Sequence, residues 1–139
     1  MDDEQMRRHL GLARVARLAT LAASSGDPHQ VPICFALEGN TVYSVIDGKP
    51  KTTLGLRRID NIRSDARACL LVDYYSDDWS SLWWIRIDTH AREVDRTDER
   101  SRALTALRGK YPQYREQTLT GAVLAFDIEN WAAWQSTPG

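Results

Sequence analysis

Two of the three lysines in the chain, Lys49 and Lys51, stand two residues apart, and Arg57 and Arg58 follow within the same ten residues, with no acid among them. Gly48 lets backbone come close to a ligand. Thr52 or Thr53 can cap a helix whose first N–H groups are free. Cations, a glycine and a helix N-terminus are the ingredients of a phosphate or polycarboxylate site. A solvated basic helix face uses the same residues, and composition alone does not separate the two readings. Nearby strands offer small side chains, Pro32 and Cys34 on one and Ser44 on the next. A flat aromatic ring can lie across such a face while a charged tail reaches the lysines.

Other chemistry is sparse. There is no GxSxG, P-loop, HExxH or GxGxxG pattern. His9, His29 and His90 are scattered without metal-ligand spacing and read as surface residues, so no metal set is assigned. Cys34 has no base near it in sequence and reads as a small packing residue. The Asp77-Asp78 pair lies in a turn and reads as solvated. No side chain is assigned as catalytic, so an enzymatic role requires a borrowed reactive group. Trp79, Trp83 and Trp84 put three tryptophans in six residues, a large aromatic surface suited first to core or dimer packing.

These residues belong to a chain of 139, read as one domain over 1–139 and long enough to bury a core without disulfides. Eighteen basic and 19 acidic residues give a net charge of −1, which argues against a general nucleic-acid binder. No apolar run approaches the ~18 residues of a spanning helix. The acidic start, Asp2-Asp3-Glu4, is unlike a signal peptide, and Cys34 and Cys69 form no CxxC pair, so a cytoplasmic protein with free thiols is expected.

Hydrophobic patterning places the elements. Residues 2–13 read as a short helix, 15–23 as a buried strand, 29–37 as an alternating strand and 41–46 as a third. A helix follows to about residue 64. Its buried stripe is read as Leu56, Ile59 and Ile62, with Arg57, Arg58 and Asn61 on the opposite arc. Strands are expected over 68–75, 83–94 and 122–128, with a helix over 97–110 that Pro112 ends. Six short strands with flanking helices make an α+β domain, and a small, partly open barrel is its economical closure.

The order of these pieces resembles a known family. Residues 14–21 (RVARLATL), 28–32 (PHQVP), 42–45 (VYSV), the Lys-Pro-Lys loop at 49–51, the helix segment 56–67, the strand 68–73 (ACLLVD) and the tail 123–131 (VLAFDIENW) are similar to the pyridoxamine 5′-phosphate oxidase-like split β-barrel proteins. The Lys-Pro-Lys loop, Asp78-Trp79 and Leu82-Trp83-Trp84 look closest to short actinobacterial proteins labelled coenzyme F-420-dependent. Fifteen arginines against three lysines fit GC-rich coding.

The resemblance implies a six-stranded split barrel and a homodimer with a deazaflavin or flavin between two barrels. The cofactor's phosphate-bearing tail would meet Lys49, Lys51, Arg57 and Arg58, with Asn61 close by. Its ring would lie over Pro32, Cys34, Ser44 and Val45, closed by Trp79 or Trp84 of a second copy. One departure bears on the cofactor. The oxidases proper carry an Arg/Lys pair on the second strand and a Ser-Arg-Lys run after the turn, whereas this chain has neither and reads Gly-Lys-Pro-Lys. Coenzyme F-420 is therefore the expected cofactor, with FMN the alternative. The expected activity is hydride donation to an unsaturated small molecule, and a non-catalytic cofactor or haem carrier is the reading from another class.

Overall fold

A computed structural model describes residues 1–46 and 53–137. The chain runs α1 (Asp3–Leu12), β1 (Ala16–Leu21), β2 (Pro28–Ile33), β3 (Ala36–Glu38), β4 (Thr41–Val45), α2 (Thr53–Ser64), β5 (Arg67–Tyr74), β6 (Trp83–Glu93), α3 (Thr97–Lys110) and β7 (Val123–Gln135). Short 3₁₀ turns cover Trp79–Ser81 and Pro112–Tyr114. No helix of the described residues is long and apolar enough to cross a membrane.

All seven strands join one antiparallel sheet in the order β2-β1-β5-β6-β7-β4-β3. The two end strands, β2 and β3, are separated in the chain by Cys34 and Phe35 alone. A sheet whose opposite edges are covalent neighbours has to curl, and this one forms the split barrel of an α+β domain. Its inner face carries Leu18, Ile33, Phe35, Val42, Leu70, Val72, Ile85, Ile87, Leu124 and Phe126, and α1 adds Met6 and Leu10. Each such side chain contributes roughly 1.5–3 kcal/mol by leaving water. A second core forms where Ala103 and Leu107 of α3 cover Ala36, Tyr43, Val45, Val123 and Ala125 on the outer side of β3, β4 and β7.

The strand expected over 29–37 is in fact two. Tyr111 explains the break: its hydroxyl accepts from the Phe35 N–H at 3.0 Å and lies 3.1 Å from the Phe35 carbonyl. A side chain thus takes both backbone groups that a continuous ladder would use. The strand expected to end at 128 continues to Gln135 instead. Its register with β6 passes from Thr89↔Ile128 to Asp88↔Asn130, leaving Glu129 as the extra residue of a bulge. The bulge reverses the alternation, so Trp131 and Ala133 pack on the barrel core. The split of the 29–37 strand makes the sheet seven-stranded instead of six, and the bulge lengthens β7 without adding a strand.

The expected stripe on α2 is also shifted. Leu56 is 55% exposed, whereas Asn61 is buried beside Ile62. The Asn61 amide explains its burial: its Oδ1 accepts from the Ala23 N–H at 3.0 Å and its Nδ2 donates to Thr20 Oγ1 at 3.2 Å. At the other end of the barrel, the helix C-termini of α1 and α3 cap each other. Lys110 Nζ donates to the Leu10 carbonyl at 3.0 Å, and Arg14 Nη1 donates to the Lys110 carbonyl at 2.7 Å. Cations at the carbonyl ends of two helices satisfy orphan acceptors and oppose both dipoles.

Candidate functional site

A cleft of about 680 Å³ opens where the β2–β3 break meets the turn after α3. Arg14, Val15, Cys34, Tyr111, Gln113, Tyr114 and Gln117 line it. Its size falls within the range of small-molecule sites, and its walls combine aromatic faces with amide and guanidinium donors. The Tyr111 hydroxyl, 2.8 Å from the Arg14 carbonyl as well as bound to Phe35, holds the wall in place. Burial pushes the Tyr111 phenol up, so it stays protonated at neutral pH.

Arg58 approaches the same region from α2. Burial pulls the pKa of its guanidinium down, and the Tyr114 phenol on the cleft wall acts in the opposite sense. A guanidinium so placed remains charged. Its Nε is buried without a hydrogen-bond partner, the one such side-chain nitrogen or oxygen among the described residues. A buried N–H of a cation with no acceptor is costly unless an anion completes it. This orphaned donor fits the phosphate of a nucleotide-type cofactor.

The other expected site residues are distributed unevenly. Lys49 and Lys51 lie outside the described residues. Arg57 is exposed one residue before Arg58. Cys34 lines the cleft, but Pro32 faces outward, opposite Arg17 of β1. Ser44 and Val45 are both buried, on opposite faces of β4. The open four-residue platform expected from Pro32, Cys34, Ser44 and Val45 is therefore not assembled within one chain. Asn61 is committed to Thr20 and Ala23 and does not join the exposed arc. Trp79 is 70% exposed and bonded through Nε1 to the Tyr75 hydroxyl at 3.4 Å; Trp84 is half-buried on the outer sheet face.

Sequence reasoning missed Arg14, Tyr111, Gln113 and Tyr114. Pro112 reads in the sequence only as the end of α3, although two tyrosines and two polar amides within the seven residues 111–117 signal a binding turn. A second cleft, about 420 Å³, lies over β1, β5 and β6 and includes Ala19, Cys69, Asp88 and Glu129. Its thiol is a poor nucleophile: burial raises the Cys69 pKa, and the Asp88 carboxylate, 3.6 Å from Sγ, raises it further. No group of three or more metal-ligating side chains occurs among the described residues.

A curled antiparallel sheet whose end strands are covalent neighbours defines a split barrel, with a cleft beside its split end and an orphaned cation near it. The chain belongs to the pyridoxamine 5′-phosphate oxidase family, which it matches over residues 2–135. No protein of curated function matches it in sequence. Among solved structures it is similar to the conserved hypothetical protein Rv2991 from Mycobacterium tuberculosis, with a TM-score of 0.79 at 16% identity over 97% of this chain and 85% of that one. It is also similar to an FAD-binding protein from Mycobacterium smegmatis, TM-score 0.70 at 16% identity over 96% of each chain. The haem storage protein HutZ from Vibrio cholerae matches with a TM-score of 0.70 at 11% identity, covering 96% of this chain and 93% of that one. Likeness at these identities shows the fold.

Proposed function

We propose that this protein is a cytoplasmic oxidoreductase that holds a flavin-type cofactor, read as coenzyme F-420 with FMN as the alternative. The observation that carries this reading is the buried, unpartnered Arg58 Nε near the Cys34 cleft. Arg58 binds the phosphate-bearing tail, joined by Arg57, Lys49 and Lys51, and Cys34 borders the ring. Bound in its reduced form, the deazaflavin supplies a hydride for an unsaturated substrate. The protein binds, orients and excludes water, and Tyr111 and Gln113 line the space left for substrate. No side chain is assigned a proton-transfer role.

The active unit is read as a homodimer. On the outer face of β5, β6 and β7, Leu71, Arg86 and Ala132 form one cross-strand row, and Asp73, Trp84 and Trp134 form the next. Such a face, apolar with paired charges, suits a second copy whose Trp79 or Trp84 closes over the ring.

Titration of the purified protein with reduced coenzyme F-420, FMN and haem tests the cofactor reading. Micromolar binding of the deazaflavin is expected, weakened by ~1–3 kcal/mol in Arg58→Gln, the range for a charge-assisted hydrogen bond. Tight binding of haem alone selects the carrier reading, which the likeness to a haem storage protein favours. Binding unaffected by Arg58→Gln overturns the placement of the tail.

A further inference from the structure

The meeting point of α1 and α3 borders another cleft, about 380 Å³, which shares Arg14 with the Cys34 cleft. Its walls are small, formed by Gly11, Ala36, Ala106 and Gly109, and a Cβ placed on either glycine meets nothing within 4 Å. Lys110 lines this space. Its Nζ lies 3.7 Å from the centre of the Phe35 ring and 5.4 Å from that of Tyr111, and its hydrogen bond runs to the Leu10 carbonyl. The charged side chain beside it is the Arg14 guanidinium, and the other group acting on it is the Cys34 thiol, which favours the ammonium. Burial and a neighbouring cation favour the neutral amine, the two devices that make a lysine nucleophilic, and they act against the Phe35 ring face and the Leu10 carbonyl, which favour the ammonium. Accordingly the Lys110 ammonium is pushed down to about 8, first by burial and then by Arg14.

We propose that Lys110 is a carbonyl-reactive amine that takes small oxo acids as an imine, with Arg14 holding their carboxylate. The Nζ lone pair attacks the carbonyl carbon, and the carbon–oxygen double bond gives way to carbon–nitrogen. The two protons leaving nitrogen depart with the carbonyl oxygen as water, and no oxidant or reductant is consumed. Protonation from solvent restores one N–H, which the Leu10 carbonyl accepts in place of the ammonium. Gly11 and Gly109 leave room for the added carbons, and a guanidinium matches a carboxylate through paired N–H groups. This inference is independent of the cofactor reading.

The test uses the full chain at pH 8 with glyoxylate and cyanoborohydride, which fixes the imine as a carboxymethyl group located by peptide mass spectrometry. The competing amines are Lys49, Lys51 and the N-terminus. Lys110 is expected to label at least about tenfold faster than Lys49 or Lys51, because a far larger fraction of it is neutral. Labelling of Lys110 at their rate overturns the proposal. Arg14→Gln, checked by circular dichroism, is expected to slow reaction with glyoxylate but not with acetaldehyde. An equal effect on both aldehydes, or none on either, overturns the carboxylate anchor. Lys110→Arg serves as the control and should lose the adduct while N-terminal labelling persists.

Discussion

Arg58 differs from the arginines around it in what it lacks. Arg92 grips Glu99 through two bonds of 2.7 Å and Asp127 through another of 2.7 Å, and Arg100 caps the carbonyls of Leu119 and Gly121 at 2.9 Å. Arg58 Nε, itself shut off from solvent, has no acceptor. A residue retained for stability would be paired, so its removal is expected to leave stability unchanged or slightly raised. Chemical denaturation of Arg58→Gln without ligand checks this; a loss beyond about 1 kcal/mol would mark a structural cation instead. The sequence made the basic cluster visible because like charges without acids stand out. It did not show that the Nε of one member is buried without an acceptor, since that depends on α2 packing against the barrel. The same helix turns Asn61 inward, where two hydrogen bonds satisfy a polar side chain that periodicity placed outside.

At the scale of elements, α3 is tied to the barrel by a polar cluster. Glu99 accepts from the Tyr43 hydroxyl at 2.6 Å and from Arg92, which also reaches Asp127. One guanidinium thereby joins β4, β6, β7 and α3. Arg92 holds the Glu99 carboxyl down at about 2, and burial first, then the separate hydrogen bond from Tyr43 to Glu99, push the Tyr43 phenol up to about 12. A carboxylate depressed in the folded state stabilises the fold above its ordinary value near 4.5. That stability is lost as pH falls towards about 2. Unfolding measured from pH 6 to pH 2 should show this loss, and Glu99→Gln should blunt it without abolishing it, because Asp127 is lowered in the same direction. The joint between β4 and β7 has its own constraint. A Cβ on Gly121 would lie 1.7 Å from the Ile46 carbonyl oxygen, and the Ile46 N–H donates to Ala122 at 2.8 Å. Gly121→Ala is expected to cost about 1–3 kcal/mol or more in chemical denaturation. A neutral result would show that the joint can shift.

For the whole molecule, the curled sheet has one side that no described element covers. Helix α3 shields the outer face of β3, β4 and β7, whereas Leu71, Trp84, Ala132 and the 46%-exposed Trp134 remain on the outside. If this face joins two copies, light scattering should give twice the mass of 15.8 kDa, and Trp84→Glu should give the single mass with an unchanged circular dichroism spectrum. A wild-type monomer at tens of micromolar would reject the dimer. Cofactor binding retained by a monomeric Trp84→Glu variant would place the whole site within one chain.

Most of the elements were legible in the sequence because their periodicity is local. The alternation of β6, with Ile85, Ile87, Thr89 and Ala91 inward, and the span of α3 both follow from neighbouring residues. The failures came where distant groups intervened. Tyr111 splits a strand 76 residues away in the chain, and the bulge at Glu129 answers to β6 across the sheet. The sequence by itself determined the order of the elements, the barrel-facing side chains and the basic cluster that begins at Lys49. Only the tertiary structure decided that Cys34 opens on a cleft with Arg14 and Tyr111, that the Arg58 Nε is buried without a partner, and that Lys110 lies beside an aromatic ring. The physical reason is that hydrophobic periodicity records which face of an element leaves water. Desolvation, hydrogen-bond satisfaction and cavity shape depend on groups brought together from far along the chain.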